Sequence, residues 1–313
     1  MKTRLRGWAI RLAVGLLVLA LALTFAAVVY DAATPGGKRP QALYHGPFVR
    51  IDGRVLAYRR WGTRGTPVVL LGGFAEPSEV WRKVGPLVAH AGHRVYALDL
   101  PPFGYSQRIG PYDLAAWQTE LEGFARKLGI ARPVLVGHSL GAATVVGEAL
   151  RDPSSLRGIV LLDGDALSGG GGPGWVVHLA VPPWYTALYR LLTGWDFLVR
   201  RILGSAYGPN GPPLTHAEVA RWERPFQVAG TAQAFREMLP HGIPGWKPAD
   251  LRAVHGVRAL VVWGAHDTTD PVSAGREAAR LLRAPFLLLP RSAHLSMLVS
   301  PQGVAAAIER IAG

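Results

Sequence analysis

The segment Val134-Leu-Val-Gly-His-Ser-Leu-Gly141 constrains the fold more than any other part of the chain. Its apolar start predicts a buried strand, and the Ala142-Ala143 pair after it opens a predicted helix. Ser139 therefore lies at a sharp turn from strand to helix. Gly137 and Gly141 suit such a turn, because a side chain at either position would collide with the neighbouring strand and helix. A serine held in this strained backbone presents its hydroxyl as a nucleophile.

The first 30 residues predict a membrane anchor. Residues 1–11 contain Lys2, Arg4, Arg6 and Arg11 and no acid, and residues 12–30 are 19 residues without a charge. A helix of that length measures about 28 Å, close to the ~30 Å hydrocarbon core, whereas a secretory signal has an apolar region of about 7 to 15 residues. The basic flank should stay in the cytoplasm, so the catalytic part would be extracytoplasmic.

A cleaved signal is the alternative for the same segment. Thr24-Phe25-Ala26 offers small residues at a site that resembles a signal-peptidase site. Cleavage there would give a secreted protein in place of a single-pass membrane protein.

Strand-like and helix-like segments alternate along most of the remaining chain. This alternation predicts the α/β class, with a mostly parallel sheet and helices on both faces. Residues 31–44 are a predicted linker. The alternation lapses at residues 168–250, which are rich in Gly, Pro and Trp and are interpreted as a lid inserted into a core of residues 45–167 and 251–313. The predicted strands are 48–51, 54–61, 67–71, 94–98, 134–136, 158–162, 257–263 and 285–289.

Four segments, in the right order, resemble the α/β-hydrolase superfamily over roughly residues 45 to 313. Leu70-Leu-Gly-Gly-Phe-Ala-Glu-Pro-Ser-Glu-Val-Trp81 looks like the family's H-G-F…S…W loop, and Asp99-Leu-Pro-Pro-Phe-Gly-Tyr-Ser106 is similar to its D-x-x-G-x-G-x-S loop. The serine turn is the third segment. The fourth is Trp263-Gly-Ala-His-Asp-Thr-Thr-Asp-Pro271, followed by Ser292-Ala-His294 before the last predicted helix. The resemblance implies the α/β-hydrolase fold and a triad in the order serine, acid, histidine.

The resemblance places the catalytic base at His294, between the last strand and the last helix. His266 and His138 each lie beside a required residue, and His138 is part of the predicted nucleophile elbow with Gly137 and Gly141. The nucleophile is Ser139.

The leading candidate for the acid is Asp267, just after the predicted strand that ends at Trp263. Asp270 precedes Pro271 and is interpreted as a helix N-cap. Asp163 and Asp165 remain alternatives, because some members of the superfamily carry the acid after the preceding strand.

Two backbone N–H groups are predicted to form the oxyanion hole. The Leu140 N–H lies at a helix N-terminus and faces developing negative charge. The resemblance implies Phe74 as the second donor, just after the H-G pair, which reads Gly72-Gly73 in this chain. Gly72 thus departs from the family's pattern. A second departure from that pattern is Pro102, which stands at the first glycine position of the second loop. Asp99 and Ser106 in that loop are interpreted as structural.

The predicted reaction is acyl transfer to water, in a carboxylesterase or lipase-like enzyme. The alternatives are other chemistry on the same triad, namely C–C bond hydrolysis, perhydrolase or haloperoxidase activity or acyl transfer, and a non-catalytic membrane-tethered binding protein. A serine nucleophile disfavours dehalogenases and epoxide hydrolases, which use Asp. No metal or organic cofactor is expected, and a chain without Cys has no thiolate site.

Composition also limits the partners. The net charge is +13, with +9 outside residues 1–30, but the basic residues are scattered and indicate solvated surface with no nucleic-acid module. We expect a monomer. The predicted lid combines few acids with many aromatic residues, which suits an apolar substrate, and residues 169–172 are its predicted hinge. These aromatic residues include Trp175, Trp184, Tyr185, Tyr189, Trp195, Phe197, Trp222, Phe226, Phe235 and Trp246.

Overall fold

An eight-stranded sheet in the order β1-β2-β4-β3-β5-β6-β7-β8 forms the centre of the computed structural model, which describes residues 2–33, 37–169 and 180–313. β1 pairs with β2, and β2 with β4, in antiparallel fashion; all later pairs are parallel. The prediction of a mostly parallel sheet is confirmed. The strands are β1 Phe48–Ile51, β2 Arg54–Trp61, β3 Pro67–Leu71, β4 Arg94–Leu98, β5 Val134–His138, β6 Gly158–Leu162, β7 Arg258–Gly264 and β8 Phe286–Leu289.

Helices cover both faces of this sheet. The described α-helices of the chain outside the insertion are α1 Lys2–Ala33, α2 Pro40–Leu43, α3 Val84–His90, α4 Leu114–Lys127, α5 Gly141–Arg151, α11 Val272–Leu282, α12 Ser296–Val299 and α13 Pro301–Ala312. Residues of α4, α5 and α11 pack into the apolar core on one face, and those of α3 and α13 into the core on the other. Every residue of β3, β5 and β6 is buried as a result, which explains why these strands are continuous apolar runs.

A 3-10 helix, Ser78–Arg82, precedes α3, and its N-cap is Pro77. The Ser78 N–H donates to the buried Asp99 carboxylate, so this residue fixes a loop.

The insertion between β6 and β7 is helical. It contains α6 Trp184–Gly194, α7 Asp196–Tyr207, α8 His216–Glu223, α9 Thr231–Met238 and α10 Pro248–Ala253. Trp246 joins it to the core, because its Nε1 donates to the Ala143 carbonyl in α5 at 2.7 Å. Trp175 and most of the predicted hinge at 169–172 lie outside the described residues.

The N-terminal helix continues past the predicted end of the anchor at residue 30. Within α1, Arg11–Ala33 is long and apolar enough to cross a membrane, and Ala27 is its one buried residue. The segment after it docks on the insertion, since the Lys38 N–H donates to the Gln227 carbonyl at 2.7 Å and the Ala229 N–H donates to the Lys38 carbonyl at 2.9 Å.

Candidate active site

The Ser139 turn joins β5 to α5, and its backbone is strained. Ser139 has φ +47°, a region that residues other than glycine rarely adopt. A Cβ on Gly137 would lie 2.4 Å from the Gly141 carbonyl oxygen, and a Cβ on Gly141 would lie 2.6 Å from the Gly72 carbonyl oxygen. The two glycines therefore let the start of α5 approach the ends of β3 and β5 closely, which holds the turn around Ser139.

Asp267 and His294 meet at the carboxyl ends of β7 and β8. His294 Nδ1 lies 2.9 Å from Asp267 Oδ2, and both residues are buried. The other carboxylate oxygen, Oδ1, accepts the N–H groups of Thr269 at 2.8 Å and Asp270 at 3.0 Å. These two donors hold the carboxylate in a fixed orientation, so that it can orient the imidazole ring of His294.

The carboxylates of Asp163 and Asp165 have different partners. Asp163 Oδ1 accepts the Gly264 N–H at 2.7 Å, and Asp165 Oδ1 accepts the Leu167 N–H at 2.9 Å. Of the four carboxylates, Asp267 holds the hydrogen bond to His294.

Asp270 is not a helix cap, which corrects the interpretation of that residue. The N-cap of α11 is Pro271, and no side chain caps this helix. Because the proline lies one residue before the first helical position, Asp270 is too far from the free N–H groups of α11. Its carbonyl accepts Trp263 Nε1 at 3.1 Å instead.

His138 connects the serine turn to the loop that carries His294. Its Nε2 lies 2.7 Å from the His294 carbonyl oxygen, and the two rings are 4.8 Å apart. Ser139 follows His138 directly and so lies beside that loop. The Ser139 hydroxyl makes no hydrogen bond to a described residue, as is common for catalytic contacts in substrate-free enzymes. The side chain of His266 is exposed and lies outside this network.

A buried ion pair under the site, Glu76 with His138, was missed at the sequence level. Glu76 Oε2 lies 2.8 Å from His138 Nδ1 and accepts the Gly73 N–H at 2.7 Å, and His138 is fully buried. A side chain on Gly72 would crowd Glu76, since its Cβ would lie 3.1 Å from the Glu76 Cβ. The sequence signal for this pair was Glu76 itself. It is an acid four residues after Gly72, the position where the superfamily has histidine. Glu76 thus ties the Gly73 loop to the residue before the serine.

Each group of this pair stabilises the charged form of the other. Burial lowers the pKa of His138, but the Glu76 carboxylate outweighs burial and raises that pKa to about 9. Burial likewise raises the pKa of Glu76, and protonated His138 outweighs it, so the pKa of Glu76 lies below its ordinary value. Both groups are therefore charged at neutral pH. Burial raises the pKa of nearby Asp163 to about 7, against the opposing effect of His138.

The fold agrees with comparison to known proteins. A family described as alpha/beta hydrolase fold matches residues 66–301, three quarters of the chain. The chain is an α/β-hydrolase.

Individual relatives are distant. This α/β-hydrolase is 25% identical to the uncharacterized hydrolase YugF of Bacillus subtilis over 250 residues, 78% of this chain and 89% of YugF. A membrane phospholipase A has a similar structure, with TM-score 0.68 and 22% identity over 99% of this chain and 98% of its own. A thermophilic esterase from Thermogutta terrifontis gives TM-score 0.70 and 23% identity over 86% of this chain and all of its own. The family and the relatives' names support hydrolase activity.

The two predicted oxyanion donors lie on segments of this hydrolase that adjoin Ser139. Leu140 follows Ser139 directly in the chain. A Cβ on Gly73 would lie 2.8 Å from the Ser139 Cβ, so the loop before Phe74 lies directly against the serine. Among the described residues, neither the Phe74 N–H nor the Leu140 N–H is used in a hydrogen bond.

The loop of residues 99–106, which resembles the superfamily's second loop, is held by the two residues predicted to be structural. Asp99 Oδ2 accepts the Tyr105 N–H at 2.8 Å, and Ser106 Oγ donates to the Asp99 carbonyl and accepts the Ala57 N–H at 2.8 Å. The interpretation of Asp99 and Ser106 as loop-fixing residues is confirmed. Cis peptide Pro101-Pro102 lies in the same loop.

Most of the described aromatic residues of the insertion fall into three groups. Phe235 lies 5.3 Å from Phe74 and 5.9 Å from Phe103, ring to ring, and Tyr189 and Phe226 pack around it. Trp222 and Trp246 pack against the two cores. The exposed group is Trp184, Trp195 and Phe197. Only the first group lies beside the Phe74 loop.

The described residues contain no cluster of three or more His, Asp or Glu side chains suited to a metal ion.

Proposed function

We propose that this hydrolase is a serine esterase that cleaves an ester of an apolar acid, with Ser139, His294 and Asp267 as its triad. The observation that carries the proposal is the Asp267–His294 contact of 2.9 Å beside a serine with φ +47° at the end of β5. Nucleophile, base and orienting acid in this arrangement are the requirements of acyl transfer.

In the proposed reaction, His294 Nε2 accepts the Ser139 proton as Oγ attacks the ester carbonyl. Asp267 stabilises the imidazolium and keeps the proton of His294 on Nδ1. The oxyanion forms between the N–H groups of Phe74 and Leu140 and collapses as His294 protonates the leaving alcohol. Water, activated by His294, then attacks the acyl-enzyme and releases the acid and the free serine.

The substrate class follows from the residues next to the Phe74 loop. Phe74, Phe103, Phe235 and Tyr189 form an aromatic cluster there, and such a wall suits an acyl chain. The insertion, residues 168–250, would act as a lid over this wall. Two proteins with similar structures carry the names phospholipase and esterase, and both names denote hydrolysis of ester bonds.

Labelling with a fluorophosphonate probe tests the nucleophile. The wild-type chain should be labelled, and Ser139→Ala should lose labelling and about 10⁶-fold in ester turnover, because triad members act as a unit. Ser154→Ala is the matched control, since this exposed serine hydroxyl contacts only Asp152. Ester turnover that survives Ser139→Ala unchanged would contradict the assignment.

A series of p-nitrophenyl esters tests the substrate class. A buried methylene is worth up to ~0.8 kcal/mol, or about fourfold in kcat/KM. We therefore expect kcat/KM to rise from acetate to at least butyrate or hexanoate and then to level off where the pocket ends. A preference for acetate, or for cationic aminoacyl esters, would contradict an apolar pocket.

A further inference from the structure

Helix α6 carries apolar side chains on two neighbouring sides. Its inner side faces the aromatic cluster, where the ring of Tyr189 lies 5.9 Å from that of Phe235. The second side, here called the outer face of α6, has helical spacing and is 38–53% exposed at each residue. The outer face consists of Trp184, Leu188, Leu191, Leu192 and Trp195, the last directly after the helix. An exposed apolar surface of this kind marks a contact with a membrane or with another protein.

The end of α1 lies against this same helix. Arg190 Nη1 is 2.9 Å from Asp31 Oδ1 and also donates to the Asp31 carbonyl at 2.9 Å. Between the two helices is a groove of about 290 Å³ lined by Tyr30, Arg190, Leu191, Gly194 and Trp195. The apolar span covers residues 11–33, and Asp31, which contacts Arg190 of α6, lies near its end. The outer face of α6 therefore begins at the depth where that span ends.

We propose that the outer face of α6 lies in the interfacial layer of the phospholipid bilayer that α1 spans. The residues at this level have the composition of such a layer. Tyr30, Trp184 and Trp195 each combine an apolar ring with one polar atom, which is why tyrosine and tryptophan are enriched where acyl chains meet headgroups. The leucines between them contact acyl chains, as the apolar face of an interfacial helix does.

A bilayer fits this surface better than a second copy of the chain. The outer face continues directly from a helix whose 23-residue apolar span is almost entirely exposed and is long enough to cross the hydrocarbon core. Covering both surfaces with one bilayer needs no further partner.

This placement has a consequence that rests on the proposed function. One helix, α6, then separates lipid on its outer face from the aromatic cluster on its inner side. An apolar ester would pass from the membrane to Ser139 past α6, without crossing bulk water.

The chain has no cysteine, so single cysteines can report on this surface in the full-length protein. Leu188→Cys and Leu191→Cys, each labelled with the fluorophore NBD, are reconstituted in vesicles of phosphatidylethanolamine and phosphatidylglycerol. We expect blue-shifted emission, quenching by nitroxide-labelled lipid and protection from iodide. Gln302→Cys, an exposed position on α13, is the control and should remain open to iodide.

Two outcomes of this measurement would overturn the proposal. Emission at Leu191→Cys that iodide quenches as strongly as at Gln302→Cys would place the outer face in water. Protection that appears only at high protein-to-lipid ratio, together with energy transfer between copies, would assign the face to a second chain.

An activity measurement separates this proposal from the proposed function. In Leu188→Asn/Leu191→Asn, hydrolysis of a fluorescent phospholipid carried in the vesicles should fall about tenfold, since less apolar surface reaches the lipid. Hydrolysis of p-nitrophenyl butyrate in water should not change. An equal loss on both substrates would overturn the membrane proposal, whereas a wild-type chain inactive on both would contradict the esterase proposal and leave the fluorescence result to decide the surface.

Discussion

At the scale of single residues, the Asp267 carboxylate has the most specific surroundings in the site. It accepts two backbone N–H groups and faces His294 Nδ1, which fixes the tautomer of the imidazole. Asp267→Asn presents an amide there and should lower kcat on the order of 10⁴-fold, with the fold intact.

Asp270→Asn is the matched control for that variant, because the contacts of Asp270 within the site are made by its backbone. Its kcat should stay within about threefold of wild type, as for a residue that only borders the triad. If Asp270→Asn instead shows the larger kinetic loss, the acid of the triad is Asp270.

The Glu76–His138 pair predicts a pH-dependent contribution to stability. The pKa of His138 is raised from 6.5 to about 9, so its charged form stabilises the fold fully below pH 6.5 and loses that effect as pH rises through about 9. The pKa of Glu76 is lowered from 4.5, so its contribution is present above pH 4.5 and lost as pH falls through the lower folded value. The pair therefore stabilises most between these limits.

Thermal melts of Glu76→Gln across pH check this window. The variant should be destabilised by about 3 kcal/mol near pH 6, because an unpaired buried charge remains, and the difference should shrink above pH 9. The other charged or titratable groups facing His138 are Asp163 and His294, which are unchanged in the variant. Glu277→Gln, which removes an exposed pair with Arg280, should show a small difference across the range. A pH-independent difference for Glu76→Gln would contradict the charged pair.

At the scale of elements, the loop after β3 and the turn after β5 must approach each other closely. A methyl group on Gly73 would lie 2.8 Å from the Ser139 Cβ, so Gly73→Ala must displace the Phe74 N–H or the serine. We expect kcat to fall about 10²-fold, the cost of losing one oxyanion donor.

Gly204→Ala is the control for this substitution. The nearest atom to a Cβ on Gly204 is 3.9 Å away, and the residue lies within α7. This variant should keep full activity and gain about 0.5 kcal/mol of stability from its helical position. Equal kinetics in the two variants would show that the loop tolerates a side chain at residue 73.

At the scale of the whole molecule, α1 should act as an uncleaved anchor. Its span of 23 residues is sufficient for the hydrocarbon core, and the basic residues before it favour a cytoplasmic N-terminus. Alkaline carbonate extraction should leave the full-length chain in the membrane fraction, and protease added from the extracytoplasmic side should reach the catalytic part. A soluble mature form that begins near Ala27 would show instead that the segment is a signal.

The sequence by itself determined the fold and the position of the strained serine turn that we propose carries the nucleophile. Strands buried on both faces are apolar along their whole length, so β3, β5 and β6 were predictable from local pattern. The glycines around Ser139 are likewise a local requirement, because the contacts that exclude their side chains come from one short turn and the strand beside it. Motif order then supplied His294 and Asp267 as the leading candidates.

Only the tertiary structure decided which side chains meet. Asp163, Asp165, Asp267 and Asp270 all follow strands that end at the same edge of the sheet, and no local pattern distinguishes which carboxylate reaches His294. The Glu76–His138 contact joins residues 62 positions apart, through the neighbouring strands β3 and β5. The outer face of α6 is apolar in sequence like its inner side, and its exposure depends on which side packs against Phe235. Partners separated by whole elements depend on the order and register of the strands, which a local sequence pattern does not encode.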